Sequence, residues 1–155
     1  MTRQIDQQPL EARKPRPVSQ FVFGLCGIWL IGLGLYFVFL RPPLLPEDLR
    51  YIGASPGAIP TALPGLGRWL RRVFTVMGGF MAGAGVLTVF VGMNASAARE
   101  KWTAIVLAMA GLVTVGTMSM TNFQLGSDFR WLLLIPSLLW LIGLVLLTVR
   151  RRRAT

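Results

Sequence analysis

Four long apolar runs, separated by shorter polar stretches, set the pattern of the chain. The first covers residues 19–40 and holds no charged residue in 22 positions. As a helix rising 1.5 Å per residue it would be about 33 Å long, enough to cross a hydrocarbon core of about 30 Å. Three more follow at about 69–91, 102–121 and 131–149, and they begin at Trp69, Trp102 and Trp131, where interfacial aromatics belong. Pro136 falls about one turn into the last run, where a missing N–H costs little. The pattern predicts an all-α fold, a four-transmembrane-helix bundle over residues 18–150.

What lies outside the runs is polar. Residues 1–17 carry three prolines and little to bury, which reads as a disordered tail. Residues 151–155 form a short basic tail. A cleaved signal peptide would have an apolar region of about 7–15 residues ending in small residues. The first run is longer and ends in Phe39-Leu40-Arg41-Pro42-Pro43, so it predicts an uncleaved anchor. The connection from Arg41 to about Arg68 is long for so small a protein. Within it, Pro46-Glu47-Asp48 has the form of a helix start, with proline in the first turn and two acids near the positive end of the dipole. It predicts a short interfacial helix over residues 46–52 with Leu49 and Ile52 toward the membrane. The following GASPGAIP marks turns.

Composition narrows the chemistry. Of 155 residues 54% are hydrophobic and 14% charged, against roughly a quarter charged in a soluble domain. There is no histidine and one cysteine, Cys26, inside the first run. That excludes intrachain disulfides, CxxC redox pairs, His or Cys zinc sites and haem held by histidine, and it removes the commonest general base. No motif implies a cofactor or a metal, and no catalytic residue is assigned. The net charge of +10 resides in residues flanking the apolar runs, which suits an anionic membrane surface and not nucleic acid. With the N-terminus inside, Arg3, Arg13, Lys14, Arg16, Arg99, Lys101 and Arg150 to Arg153 are internal, ten cations. Arg41, Arg50, Arg68, Arg71, Arg72 and Arg130 are external, six cations. The bias predicts a multi-pass protein of a bacterial inner membrane with both termini cytoplasmic.

Small residues mark where helices meet in lipid. In the second span Gly78 and Ala82 are four apart, as are Gly79 and Gly83, giving a nearly bare face. Gly24, Gly27 and Gly34 form a stripe on the first span, and Ala104, Ala108 and Gly111 on the third. Such faces serve either the bundle or a homo-oligomer. Thr114, Thr117, Thr121 and Gln124 follow the spacing of one helical face. This stripe either lines a polar crevice or consists of hydroxyls bonded back to carbonyls one turn earlier.

Arg68, Arg71 and Arg72 also share a face, at a helix N-terminus where the dipole disfavours cations. Something negative is therefore expected nearby: Glu47, Asp48 and Asp128 as salt-bridge partners, or lipid phosphate. One reading makes the arginines interfacial anchors. The other makes them a ligand-binding anion site, with Arg50 and Tyr51 assisting.

The segments LRPPLLPEDLRYIG (residues 40–53), LPGLGRWLRRVFTVMGG and NFQLGSDFRWLL (residues 122–133) resemble those of a group of small, functionally uncharacterised four-span bacterial membrane proteins. The resemblance covers most of the chain and implies a fold but no activity. A looser similarity to four-helix membrane proteins of the DoxX type rests on architecture, which does not specify function. Three functions follow in order: a non-enzymatic structural or accessory membrane protein binding lipid or a partner membrane protein, a small transporter or channel component, and a membrane enzyme acting on lipid.

Overall fold

A computed structural model describes residues 17–94 and 100–154. The expected tail at 1–16 and the cations Arg3, Arg13, Lys14, Arg16 and Arg99 lie outside the described residues. Within them every regular element is helical, in the order α1 (Val18–Phe39), α2 (Pro46–Ile52), α3 (Ala58–Ala62), α4 (Leu66–Met93), α5 (Glu100–Gly111), a π-helical segment (Leu112–Gly116), α6 (Thr117–Gln124) and α7 (Arg130–Ala154). Four helices are long and apolar enough to cross a membrane: Val18–Phe39, Leu66–Met93, Trp102–Gln124 and Arg130–Val149. The chain is thus an all-α, multi-pass membrane protein. α7 continues through the four arginines, which suits both arginine's helix propensity and the negative end of the dipole.

α4 packs along α1, α1 along α7, and α7 along α5, the π segment and α6. The α1–α4 contact explains why glycine stands where it does. A methyl group built on Gly27 would lie 2.7 Å from the Gly85 carbonyl oxygen, and one on Gly34 would lie 2.6 Å from the Gly78 oxygen. Gly92 lies against the Phe23 ring. Gly27 and Gly34 are seven apart, as are Gly78, Gly85 and Gly92, so the two backbones touch once every two turns. Gly78 and Ala82 are therefore at the contact face. Gly79 and Gly83 are not: a methyl on either meets no atom within 4 Å. Gly24 likewise faces open space, and Ala108 is exposed. Spacing of four proposed two candidate stripes on α4, and only the one facing the Gly27 and Gly34 stripe has a partner.

The core sits toward the end of the bundle that carries both termini. Phe23, Cys26, Leu30, Leu107, Val115, Trp140 and Leu147 are all buried. Phe23 meets Trp140 edge to face at 5.8 Å, in a gap left by Gly92 and Gly143. Trp140 lies over Gly111 and its Nε1–H donates to the Leu107 carbonyl at 2.8 Å. Pro136 lies nearly two turns into α7 because the helix starts at Arg130, so one intrahelical bond is forgone, contrary to the first-turn expectation. Nearby, the Cys26 thiol donates to the Pro136 carbonyl at 3.4 Å.

Candidate functional site

At the opposite end, the connection between α1 and α4 folds over the bundle. Two interactions start and stop α2. The Asp48 carboxylate accepts from the Leu45 N–H at 2.8 Å, and Gly53 ends the helix in the left-handed region, at φ 72°. α3, a single turn where the sequence indicated only turns, is held by Thr61 Oγ1 donating to the Gly57 carbonyl at 2.9 Å. Gly126 takes φ 61° and ends α6, with Ser127 N–H bonding back to the Asn122 carbonyl at 3.0 Å.

Two segments far apart in sequence meet here. The Glu47 carboxylate accepts from Ser127 Oγ, at 3.1 Å to each oxygen, and from the Asp128 N–H at 2.8 Å. Ser127 is almost wholly buried, so this carboxylate satisfies a hydroxyl with no water around it. Arg50 pairs with Asp128 at 2.9 Å, with both side chains well exposed. Arg41 pairs with Asp48 at 3.3 Å, and the Arg41 side chain is only 10% exposed. Its guanidinium lies 3.6 Å over the Phe74 ring and 5.2 Å from that of Phe37. The three acids are thus engaged by Arg41, Arg50, Ser127 and the backbone amides of Leu45 and Asp128. Among the described residues, none forms an ion pair with Arg68, Arg71 or Arg72.

Beneath Arg41 and Asp48 lies a crevice of about 540 Å³. One wall is the α4 face carrying Phe74, Met77, Met81 and Ala84, and the other is the π segment and α6 with Thr114, Thr117 and Thr121. Leu30 and Val115, both core residues, also line it. The crevice exists because α4 packs on α1 and, at its start, on α3, while making no comparable contact with α5 or α6. The bundle is an open row, and the gap between its first and last members is unfilled. From Phe74 to Ala84 the wall is about 15 Å deep at 1.5 Å per residue.

Two hydroxyls of the threonine stripe bond back to carbonyls one turn earlier. Thr114 Oγ1 donates to the Ala110 carbonyl at 2.6 Å, and Thr117 Oγ1 to those of Val113 and Thr114, at 2.6 and 3.0 Å. Yet Thr114, Thr117 and Thr121 also line the crevice. Gln124 does not; it is exposed, and Asn122 takes its place along the wall. The π segment gives these hydroxyls their task. A wide turn loosens its carbonyls, and in an apolar bundle each needs a donor. Ser137 from α7 supplies the Val115 carbonyl at 2.7 Å and also contacts Ser119 at 2.7 Å. Spacing cannot reveal a π segment, but the run of Thr114, Thr117, Ser119 and Ser137 was its available signal.

Arg68, Arg71 and Arg72 lie exposed in the first two turns of α4, outside the crevice. Arg50 and Tyr51 are exposed on α2 and are not among its lining residues. The residue that sequence reasoning placed in no site is Arg41, which is the one arginine lining it. Compared with known families, curated proteins and solved structures, the chain matches none, so function is argued from the site.

Proposed function

We propose that the protein is a non-enzymatic accessory protein of a bacterial inner membrane, both termini cytoplasmic, that holds an apolar lipid chain in the crevice between α4 and α6. The carrying observation is the crevice itself, apolar along most of its wall and open at the side where α4 and α6 do not meet. Its volume lies within the 300–1,000 Å³ typical of small-molecule sites. At the roughly 30 Å³ a water molecule occupies in the liquid, it has room for about 18 non-hydrogen atoms, the size of one lipid chain. Arg68, Arg71 and Arg72 face outward and would contact lipid phosphates around the bundle.

A conduit is less favoured, because the hydroxyl protons of Thr114 and Thr117 are spent on carbonyls and the crevice wall is mostly apolar. Lipid chemistry is less favoured because Glu47, Asp48 and Asp128 are held in structural contacts. The test is native mass spectrometry of the gently extracted protein beside an Ala84→Phe/Thr117→Phe variant, which narrows the crevice from both walls. A lipid retained by the wild type and lost from a variant of unchanged helicity supports the reading. The same lipid complement on both forms would overturn it.

A further inference from the structure

We infer that the crevice selects a single-chain amphiphile with an acidic head, a carboxylate or a phosphate monoester, and that Arg41 is the residue that binds the head. This rests on the crevice being a lipid site and adds which end of the ligand is recognised and by what.

The argument begins with donors. A guanidinium carries five N–H groups and never loses its charge in a protein. Arg41 commits one to the Pro42 carbonyl at 3.2 Å and one to Asp48 at 3.3 Å. Three remain, on a side chain that is nine-tenths buried and lines the crevice. The other polar groups along the wall have little to donate. Thr114 and Thr117 give their protons to carbonyls, and the Asn122 amide gives one to the Met118 carbonyl at 2.8 Å. That leaves one Asn122 N–H and the neutral Thr121 hydroxyl, both in α6 toward the same end of the bundle as Arg41. The crevice thus has a concentration of donors at its polar end and apolar wall below it. A head with several acceptor oxygens and a full negative charge is the complement.

Arg41 is also held ready. With its guanidinium 3.6 Å over the Phe74 ring and 5.2 Å from that of Phe37, it is positioned before any ligand arrives. The charge around it agrees. Six arginines (41, 50, 68, 71, 72 and 130) and three acids (47, 48 and 128) stand at this end of the bundle, which leaves it net positive among the described residues. Asp48 then has two tasks. It caps α2, and it occupies one edge of Arg41 as an internal acid that an incoming head must share or displace.

Hexadecanoate, hexadecyl phosphate and hexadecanol, which share one chain and differ in head, are the probes. Their binding to the full-length protein in nanodiscs is measured at alkaline pH for the wild type, Arg41→Gln, Asp48→Asn and the Ala84→Phe/Thr117→Phe variant. The wild type is expected to prefer at least one acid over the alcohol by about tenfold, the scale of a charged hydrogen bond. The tighter acid then identifies the head as carboxylate or phosphate. Arg41→Gln abolishes that preference while the alcohol still binds. Asp48→Asn, which retains an amide oxygen able to cap α2, raises affinity for the acid. Because this change runs opposite to any loss of folding, it separates recognition from structure. Equal binding of acids and alcohol by the wild type, or a preference that survives Arg41→Gln, would overturn the role of Arg41 but leave the crevice as a lipid site. Absence of all three probes, or equal binding by the narrowed variant, would overturn the crevice reading itself.

Discussion

Replacing Gly34 by alanine tests the way this bundle is held together. The added methyl lies 2.5 Å from the Ala82 backbone nitrogen and 2.6 Å from the Gly78 oxygen, both rigid backbone atoms. Ordinary contact begins near 3.4 Å, so α1 and α4 must part by the difference from 2.5 Å, about 0.9 Å. A gap of 0.5–1 Å forfeits a quarter to a half of the dispersion energy between facing atoms, and overpacking of this kind costs about 1–3 kcal/mol. Alanine recovers about 0.5–1 kcal/mol through helix propensity, leaving a net loss of about 1.3 kcal/mol at the midpoints of the two ranges. The same change at Gly79, where the methyl meets nothing, keeps the gain without the loss. The two variants, both glycine to alanine in a membrane helix, are thus expected to move in opposite directions. Unfolding by SDS in mixed micelles, followed by circular dichroism, measures both. If Gly34→Ala proves as stable as Gly79→Ala, close backbone packing is not what joins α1 to α4.

Other contacts give smaller and equally directional outcomes. Trp140→Phe keeps a ring against Phe23 but removes the donor to the Leu107 carbonyl, and the same unfolding assay should show a loss of about 0.5–1.5 kcal/mol. Glu47→Gln exchanges a charged acceptor for a neutral one at Ser127 and Asp128, a loss of about 1 kcal/mol. Hydrogen exchange at residues 46–52 should then quicken by about fivefold, with the four spans unaffected. Arg50→Gln removes the other tie between these segments, yet its ion pair is well exposed, and stability should stay within about 0.5 kcal/mol of wild type.

The sequence alone carried the spans and the short helix. These are local properties: 22 residues without a charge are a membrane helix almost wherever they fold, and Pro46-Glu47-Asp48 starts a helix by its own hydrogen bonds. Glycine spacing told which spans have a contact face but offered two faces on α4. Choosing between Gly78 and Gly79 needed the position of α1, since both have the same chemistry and differ by one residue's rotation. The pairing of charges needed it too. Seven residues separate Arg41 from Asp48 and seventy-eight separate Arg50 from Asp128, and no periodicity links either pair. The crevice is the clearest case. It arises because α4 has a partner on one side and none toward α6, a property of how four helices are ordered around one another. Thr114 and Arg41 acquire a shared cavity only when that order brings their helices to the same gap.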